Sequence, residues 1–274
     1  MRAAIATLAA MWFALPLAGA DNPKSAAPSY TASSIVHAAS FQPGILVPNG
    51  LATIYGTELA FSTRALAPGD LRGDDLPETL PGSGVSVIVN GIWAHVIYAS
   101  PGQINFLVPA NLAAGNATVT VVRSGVSGNA ANVRVAAAQP GMFLLDAATA
   151  VATHADGSVV TKTAPGQPGD TIVLYATGLG QTNPAAFYGK LARAAAQVER
   201  ISAFRVVIDG RTLDGGILYA GVTPGFAGLY QINVRLPEWT GPNPEIRLMI
   251  DDAASPPGIR IPVATGPASA ASTQ

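Results

Sequence analysis

The chain has 274 residues, a net charge of −1 and no cysteine, so disulfide staples, thiolate metal sites and a cysteine nucleophile are excluded. The charge is near neutral with no basic stripe, which leaves non-specific nucleic-acid binding without an electrostatic basis. Apolar residues make up 49% and charged residues only 11%, against about 25% charged in an ordinary domain, so the chain can bury sizeable cores.

In chain order, Arg2 comes first and precedes an apolar run from Ala3 to Leu17. Ala18-Gly19-Ala20 follows in the small-x-small form of a cleavage site. This pattern predicts a secretory signal peptide over residues 1–20. As a membrane anchor the run is short, and Pro16 falls near its end. The mature protein is expected outside a bacterial cytoplasm, as a secreted, periplasmic or surface protein with no membrane span after cleavage. Residues 21–34 are rich in Ser, Pro and Ala and read as a flexible leader.

From residue 35 the strand signals are dense. Gly 29 and Pro 22 are spread between apolar runs, as many short strands joined by tight turns require. Strands are expected at about 51–55, 103–108, 117–122 and 130–136. Val85 to Tyr98 gives the clearest signal. Val85, Val87 and Val89 alternate with Ser86 and Ile88, Asn90-Gly91 turns the chain, and Ile92 to Tyr98 runs back. A type I′ turn needs positive φ at both central residues, which Asn-Gly supplies.

Gln139-Pro140-Gly141 marks a hinge, after which the chain repeats itself. Tyr55 answers to Tyr175, an offset of 175 − 55 = 120. Val89-Asn90-Gly91 answers to Ile208-Asp209-Gly210, Tyr98-Ala99 to Tyr219-Ala220, and Gln103-Ile104-Asn105 to Gln231-Ile232-Asn233. Strands are expected at about 171–175, 229–236, 245–250 and 258–263. Ala185 to Arg200 is Ala-rich and reads as a short helix or irregular loop between strands. The expected architecture is all-β: two tandem Ig-like (IPT/TIG-like) antiparallel β-sandwich domains, over 35–137 and 138–265, with a flexible tail at 266–274.

No catalytic set stands out, so no catalytic residue, metal ligand or cofactor is assigned. His37, His95 and His154 show no metal-ligand spacing. Gly82-Ser83-Gly84 is not a nucleophile elbow. Gly178-Leu179-Gly180 lacks the third glycine of a dinucleotide loop, since Asn183 stands in its place. Asp70, Asp74 and Asp75 cluster in one loop without the spacing of a calcium hand. That loop also holds an Arg72-Gly73-Asp74 tripeptide.

The duplicated Gln-x-Asn is the most distinctive polar feature. Residues two apart on a strand share a face, so Gln103 projects with Asn105 and Gln231 with Asn233. Two roles fit: a polar ladder that grips a glycan or peptide, or amides that satisfy backbone groups of a partly buried site. The tyrosines Tyr55, Tyr98, Tyr175 and Tyr219 recur in register, as core or corner residues do. Trp93 and Trp239 do not match each other and are therefore candidate exposed contact residues. The candidate binding set is Gln103, Asn105, Gln231, Asn233, Trp93 and Trp239.

The strings Ser40-Phe41-Gln42-Pro43-Gly44, Tyr98-Ala99-Ser100-Pro101-Gly102-Gln103-Ile104-Asn105 and Leu229-Tyr230-Gln231-Ile232-Asn233 carry a family resemblance. Over about residues 35–265 the chain resembles an uncharacterised C-terminal domain family of secreted acidobacterial proteins, similar to tandem IPT/TIG-like Ig domains. Two features depart from the family pattern: the Ala-rich stretch 185–200 stands where a Pro-rich loop is usual, and the larger N-terminal module usual in the family is not expected here. The resemblance implies the fold and secretion, and it carries no established activity. The expected function is a secreted, non-catalytic binding or structural module that contacts a cell-surface polymer, such as a polysaccharide, or another extracellular protein. The alternatives are an extracellular hydrolase with a site outside known motifs, and an envelope sorting or anchoring domain.

Overall fold

The computed structural model describes residues 26–264; the expected signal peptide and C-terminal tail lie outside them. The first half carries β1 (Ile35–His37), β2 (Ile45–Leu46), β3 (Leu51–Tyr55), β4 (Arg64–Ala65) and β5 (Val85–Val89). It continues with β6 (Ile92–Ser100), β7 (Gln103–Leu107), β8 (Gly115–Arg123), β9 (Val126–Ser127) and β10 (Ala131–Val135). The second half carries β11 (Gly141–Met142), β12 (Ala152–His154), β13 (Thr171–Thr177), β14 (Thr182–Asn183), β15 (Gln197–Val198) and β16 (Phe204–Ile208). After these come β17 (Arg211–Thr212), β18 (Ile217–Val222), β19 (Tyr230–Arg235), β20 (Ile246–Ile250) and β21 (Ala253–Ala254). The described chain is all-β apart from three short 3-10 turns, and no helix in it is long and apolar enough to cross a membrane.

Strand pairing repeats with the sequence. In the first half β3, β7 and β6 lie side by side, as β13, β19 and β18 do in the second. Tyr55 pairs with Gln103 and Thr53 with Asn105; Tyr175 pairs with Gln231 and Val173 with Asn233. A register shift between Val96 and Tyr98 recurs between Ile217 and Tyr219. The hairpin turns match as well. Asn90 and Gly91 take φ of 49 and 79, and Asp209 and Gly210 take 46 and 76, the left-handed pair that a type I′ turn demands. Asn90 Oδ1 accepts from Thr118 N at 2.7 Å, and Asp209 Oδ1 accepts from Glu245 N at 2.8 Å.

The halves differ in how their sheets close. β6 is continuous and pairs with β5 at one end and β7 at the other, which joins ten strands into one sheet. β2 pairs with β10, and a Val36–Pro43 bridge ties it back towards β1. The result is a nearly closed, barrel-like sheet rather than the expected open sandwich. In the second half Leu213-Asp214-Gly215-Gly216 interrupts the corresponding strand between β17 and β18. The sheet therefore splits into seven-stranded and four-stranded pieces.

Three further expectations change, and one alternative is decided. Tyr30, within the expected leader, is buried; its hydroxyl accepts from Val121 N at 2.7 Å, so residues near it pack onto the first half. The stretch 258–263 forms bridges through Arg260 and Val263 rather than a strand; Pro262 within it cannot donate to a ladder. Of the two readings of the Ala-rich stretch, residues 185–196 take the irregular loop. Of the four matched tyrosines, Tyr55 is 38% exposed while Tyr175 is 4% exposed.

Three apolar cores result. One is built from first-half residues, including Ile54, Val87, Ile104 and Phe106. Another is built from second-half residues, including Leu174, Val206, Ile232 and Leu248. The third is a seam that joins the halves, in which Leu51, Leu76 and Leu107 meet Phe143, Tyr175 and Leu229.

Candidate functional site

The face of β3 and β7 that carries Tyr55, Thr53, Gln103 and Asn105 turns toward the seam. Gln103 Nε2 donates to Asn105 Oδ1 at 2.9 Å, and Thr53 Oγ1 donates to the same oxygen at 3.1 Å. Both amides are buried. Two cavities open beside this pair, and Phe143 lines both.

The first cavity, of about 410 Å³, is lined by Phe41, Tyr55, Gln103 and Asp146, with Leu144 and Leu145. Phe41 is 54% exposed and sits at φ 56, a left-handed conformation rare for a bulky residue. The turn enforces it, since Phe41 N donates to His37 O and His37 N donates to Gln42 O, both at 2.9 Å. Asp146 Oδ1 accepts from Ala148 N at 3.0 Å and from Thr149 N at 2.9 Å. Those bonds hold its carboxyl below the usual carboxylate range, so the acid is ionised at neutral pH. This cleft combines three aromatic side chains, Phe41, Tyr55 and Phe143, with an amide and a carboxylate.

The second cavity, of about 290 Å³, is almost wholly apolar. Leu66, Leu71, Tyr98 and Asn105 line it from the first half, and Leu191 and Phe226 from the second.

Of the expected site residues, the structure brings Gln103 and Asn105 to the cavities. Gln231 repeats the bond, donating from Nε2 to Asn233 Oδ1 at 3.1 Å, but that pair lines neither cavity. Trp93 and Trp239 are exposed and stand apart from both cavities. The Arg211 guanidinium lies 4.1 Å over the Trp239 ring, and Trp93 O accepts from Tyr188 Oη at 2.9 Å. Sequence reasoning missed Phe41 and Asp146, which reach the cleft from separate loops. The signal for Phe41 was present: a bulky aromatic stands inside a Gly/Pro-rich turn.

The histidines have local roles. His37 Nδ1 accepts from Ser40 N at 3.1 Å and lies 3.0 Å from Ser40 Oγ. Burial lowers its pKa to about 4, which makes it a weak base at neutral pH. Its Nε2 is buried without a partner among the described residues. His95 packs on Tyr188 with ring centroids 4.8 Å apart, and a side chain at Gly189 would meet His95 Nε2 at 2.3 Å. His154 contacts Ala164 O at 3.2 Å.

The acidic loop is taken up by ion pairs. Asp70 pairs with Arg64 at 2.7 Å, Asp75 with Lys190 at 2.8 Å, and Asp74 with Arg193. Two of these cations belong to the Ala-rich loop, which also binds backbone to backbone through Leu76 N to Gly189 O and Leu191 N to Asp74 O. The loop therefore clasps the first half. Asp74 of the Arg-Gly-Asp tripeptide is one of the residues it holds. No group of three or more His, Asp or Glu suited to a metal occurs among the described residues.

No family model matches the chain, and no curated protein does. Among solved structures it is similar to SGBP-B of the Bacteroides ovatus mixed-linkage glucan utilization locus, in complex with a mixed-linkage heptasaccharide. That likeness has 11% identity and a TM-score of 0.34, and spans 81% of this chain and 42% of the other. The tandem Ig repeats of Dlar are similar at 13% identity and a TM-score of 0.23, over 88% of this chain and 96% of the other. Domains 5–6 of the S-layer protein SbsC are similar at 11% identity and a TM-score of 0.26, over 87% and 99%. At TM-scores this low, the function of this chain has to be read from its own residues.

Proposed function

We propose that the protein is a non-catalytic binding module of the bacterial cell exterior, and that the cleft at Phe41 and Tyr55 holds a segment of extracellular polysaccharide. One observation carries this reading: two exposed aromatic rings flank a cleft whose floor offers the Gln103 amide and whose wall offers the ionised Asp146. Aromatic faces cover the apolar face of a sugar ring, and amide and carboxylate groups take its hydroxyls. The strained display of Phe41 supports the reading, since backbone strain concentrates at ligand contacts. In this proposal the chain comprises two Ig-related copies of one unit, over 35–137 and 138–265, exported by the signal at 1–20 as the family resemblance implies. The matched registers of β3–β7–β6 and β13–β19–β18 support the duplication.

The test is a glycan array followed by affinity electrophoresis in soluble polysaccharides, using the mature chain. Phe41→Ala and Tyr55→Ala should each weaken binding about tenfold or more, as loss of an aromatic anchor does, with an unchanged unfolding midpoint. An absence of reproducible glycan binding by the wild type, or full retention of binding by both variants, would overturn the reading.

A further inference from the structure

We infer that the apolar seam cavity is a second, separate binding site, which takes a small uncharged molecule with an aliphatic body and one hydrogen-bond acceptor. The body is specified by the walls. Leu66 and Leu71 face Leu191 and Phe226 across about 290 Å³, room for a ligand of roughly ten non-hydrogen atoms, and apolar lining of this kind rewards burial of hydrocarbon.

The head group is specified by Asn105, which is 4% exposed and lines the cavity. Its Oδ1 is occupied by Thr53 Oγ1 and Gln103 Nε2. Both of these side-chain bonds fall on Oδ1, so the Nδ2 edge remains for a ligand at the cavity that Asn105 lines. A ligand oxygen at that edge gains a hydrogen bond in a mostly apolar site, where it is worth more than in water.

The charge of the ligand is specified by the same walls. No described residue lining the cavity is charged, so a carboxylate would lose its hydration without gaining a cation. A ketone, ester or lactone carbonyl meets the neutral Asn105 donor, or the Tyr98 hydroxyl beside it, without that loss. The site is built from both halves, so its shape depends on the seam.

The probe is N-phenyl-1-naphthylamine, whose fluorescence rises in apolar sites, bound to the mature wild-type chain. We expect saturable binding, with 2-octanone displacing the probe at a concentration at least tenfold lower than octanoate does at pH 8. Ala227→Leu narrows the cavity from a half-buried wall position and should weaken the probe at least tenfold while the unfolding midpoint stays put. Asn105→Leu should abolish the preference for 2-octanone over octane. If Asn105→Leu fails to fold, Ala227→Leu and the ketone-to-carboxylate ratio still decide the matter. The inference falls if the probe does not saturate, if octanoate competes as well as 2-octanone, or if Ala227→Leu leaves the affinity unchanged.

Discussion

Leu51 N donates to Thr177 Oγ1 at 2.9 Å, joining the first residue of β3 to the last residue of β13, the equivalent strand of the other half. Thr177 Oγ1 in turn donates to Gly228 O at 2.7 Å, and Thr177 is fully buried. One hydroxyl therefore satisfies a backbone group from each side of the seam. Thr177→Val keeps the shape and leaves both backbone groups unmet, which should cost about 2–3 kcal/mol. Thr177→Ser should recover most of that loss, as read from urea unfolding midpoints.

The acid response should be governed in part by His37. Its folded-state pKa is lowered by burial from 6.5 to about 4, so the unfolded chain binds more protons between these values. Stability is then fully present above about pH 6.5 and falls as pH drops toward 4, by about 3 kcal/mol in total. His37→Asn removes the titrating ring while keeping an acceptor near Ser40. Comparing unfolding free energy against pH for the two proteins should give a flatter slope between pH 4 and 6.5 in the variant. Parallel slopes would contradict the assignment. Exposed carboxylates with lowered pKa, such as Asp75 and Asp156, lose stability on acidification in both proteins and cancel in the comparison.

The paired turns supply a direct check on the duplication. Asn90→Ala and Asp209→Ala each place alanine at positive φ and delete one side-chain acceptor, so each should cost about 1–2 kcal/mol. Chemical unfolding of the two variants should give losses that agree within roughly a factor of 2. A loss in one without the other would mean that the matched geometry is not matched energetically.

Arg123 carries a buried charge at the end of β8. Its Nη1 donates to Glu58 O and Glu58 Oε2, each at 2.7 Å, and its guanidinium lies 4.1 Å from the Phe61 ring. Arg123→Met should cost about 2–4 kcal/mol, moderated because Glu58 keeps partial access to water. The midpoint of guanidinium-induced unfolding reads this out, with the slope unchanged.

Gly178 closes the seam from the other side. It adopts φ +79, and an added Cβ would fall 2.3 Å from Gln139 O and 2.4 Å from His37 Nε2. Gly178→Ala should therefore destabilise by about 3 kcal/mol or more, combining a left-handed penalty with overpacking. Thermal unfolding of the variant should show a correspondingly lowered midpoint.

Much of the fold could be read from local pattern. Asn90-Gly91 and Asp209-Gly210 encode their turns because few residues tolerate both φ values, and the Gln-x-Asn pairs encode a shared face because strands alternate. Burial at Tyr55 and Tyr175 was not legible. The two residues hold equivalent registers, yet Tyr175 is covered in the seam while Tyr55 opens onto the cleft. The Ala-rich loop gave no helix because contacts with the first half, including the approach of Gly189 to His95, determine its path. Trp93 and Trp239 were singled out by their lack of repeat partners; both are exposed, but the cavities formed elsewhere. Phe41 and Asp146 are 105 residues apart by subtraction, 146 − 41, and only chain packing makes them neighbours.

The sequence by itself determined most of the longer strands, the Asn-Gly and Asp-Gly turns and the twofold recurrence of pairing, because these follow from φ preferences and side-chain alternation within a few residues. Only the tertiary structure decided that one half closes into a near-barrel while the other splits, and that two cavities flank Phe143. Both outcomes depend on which distant surfaces exclude water from each other, a property of the packed chain that no local pattern contains.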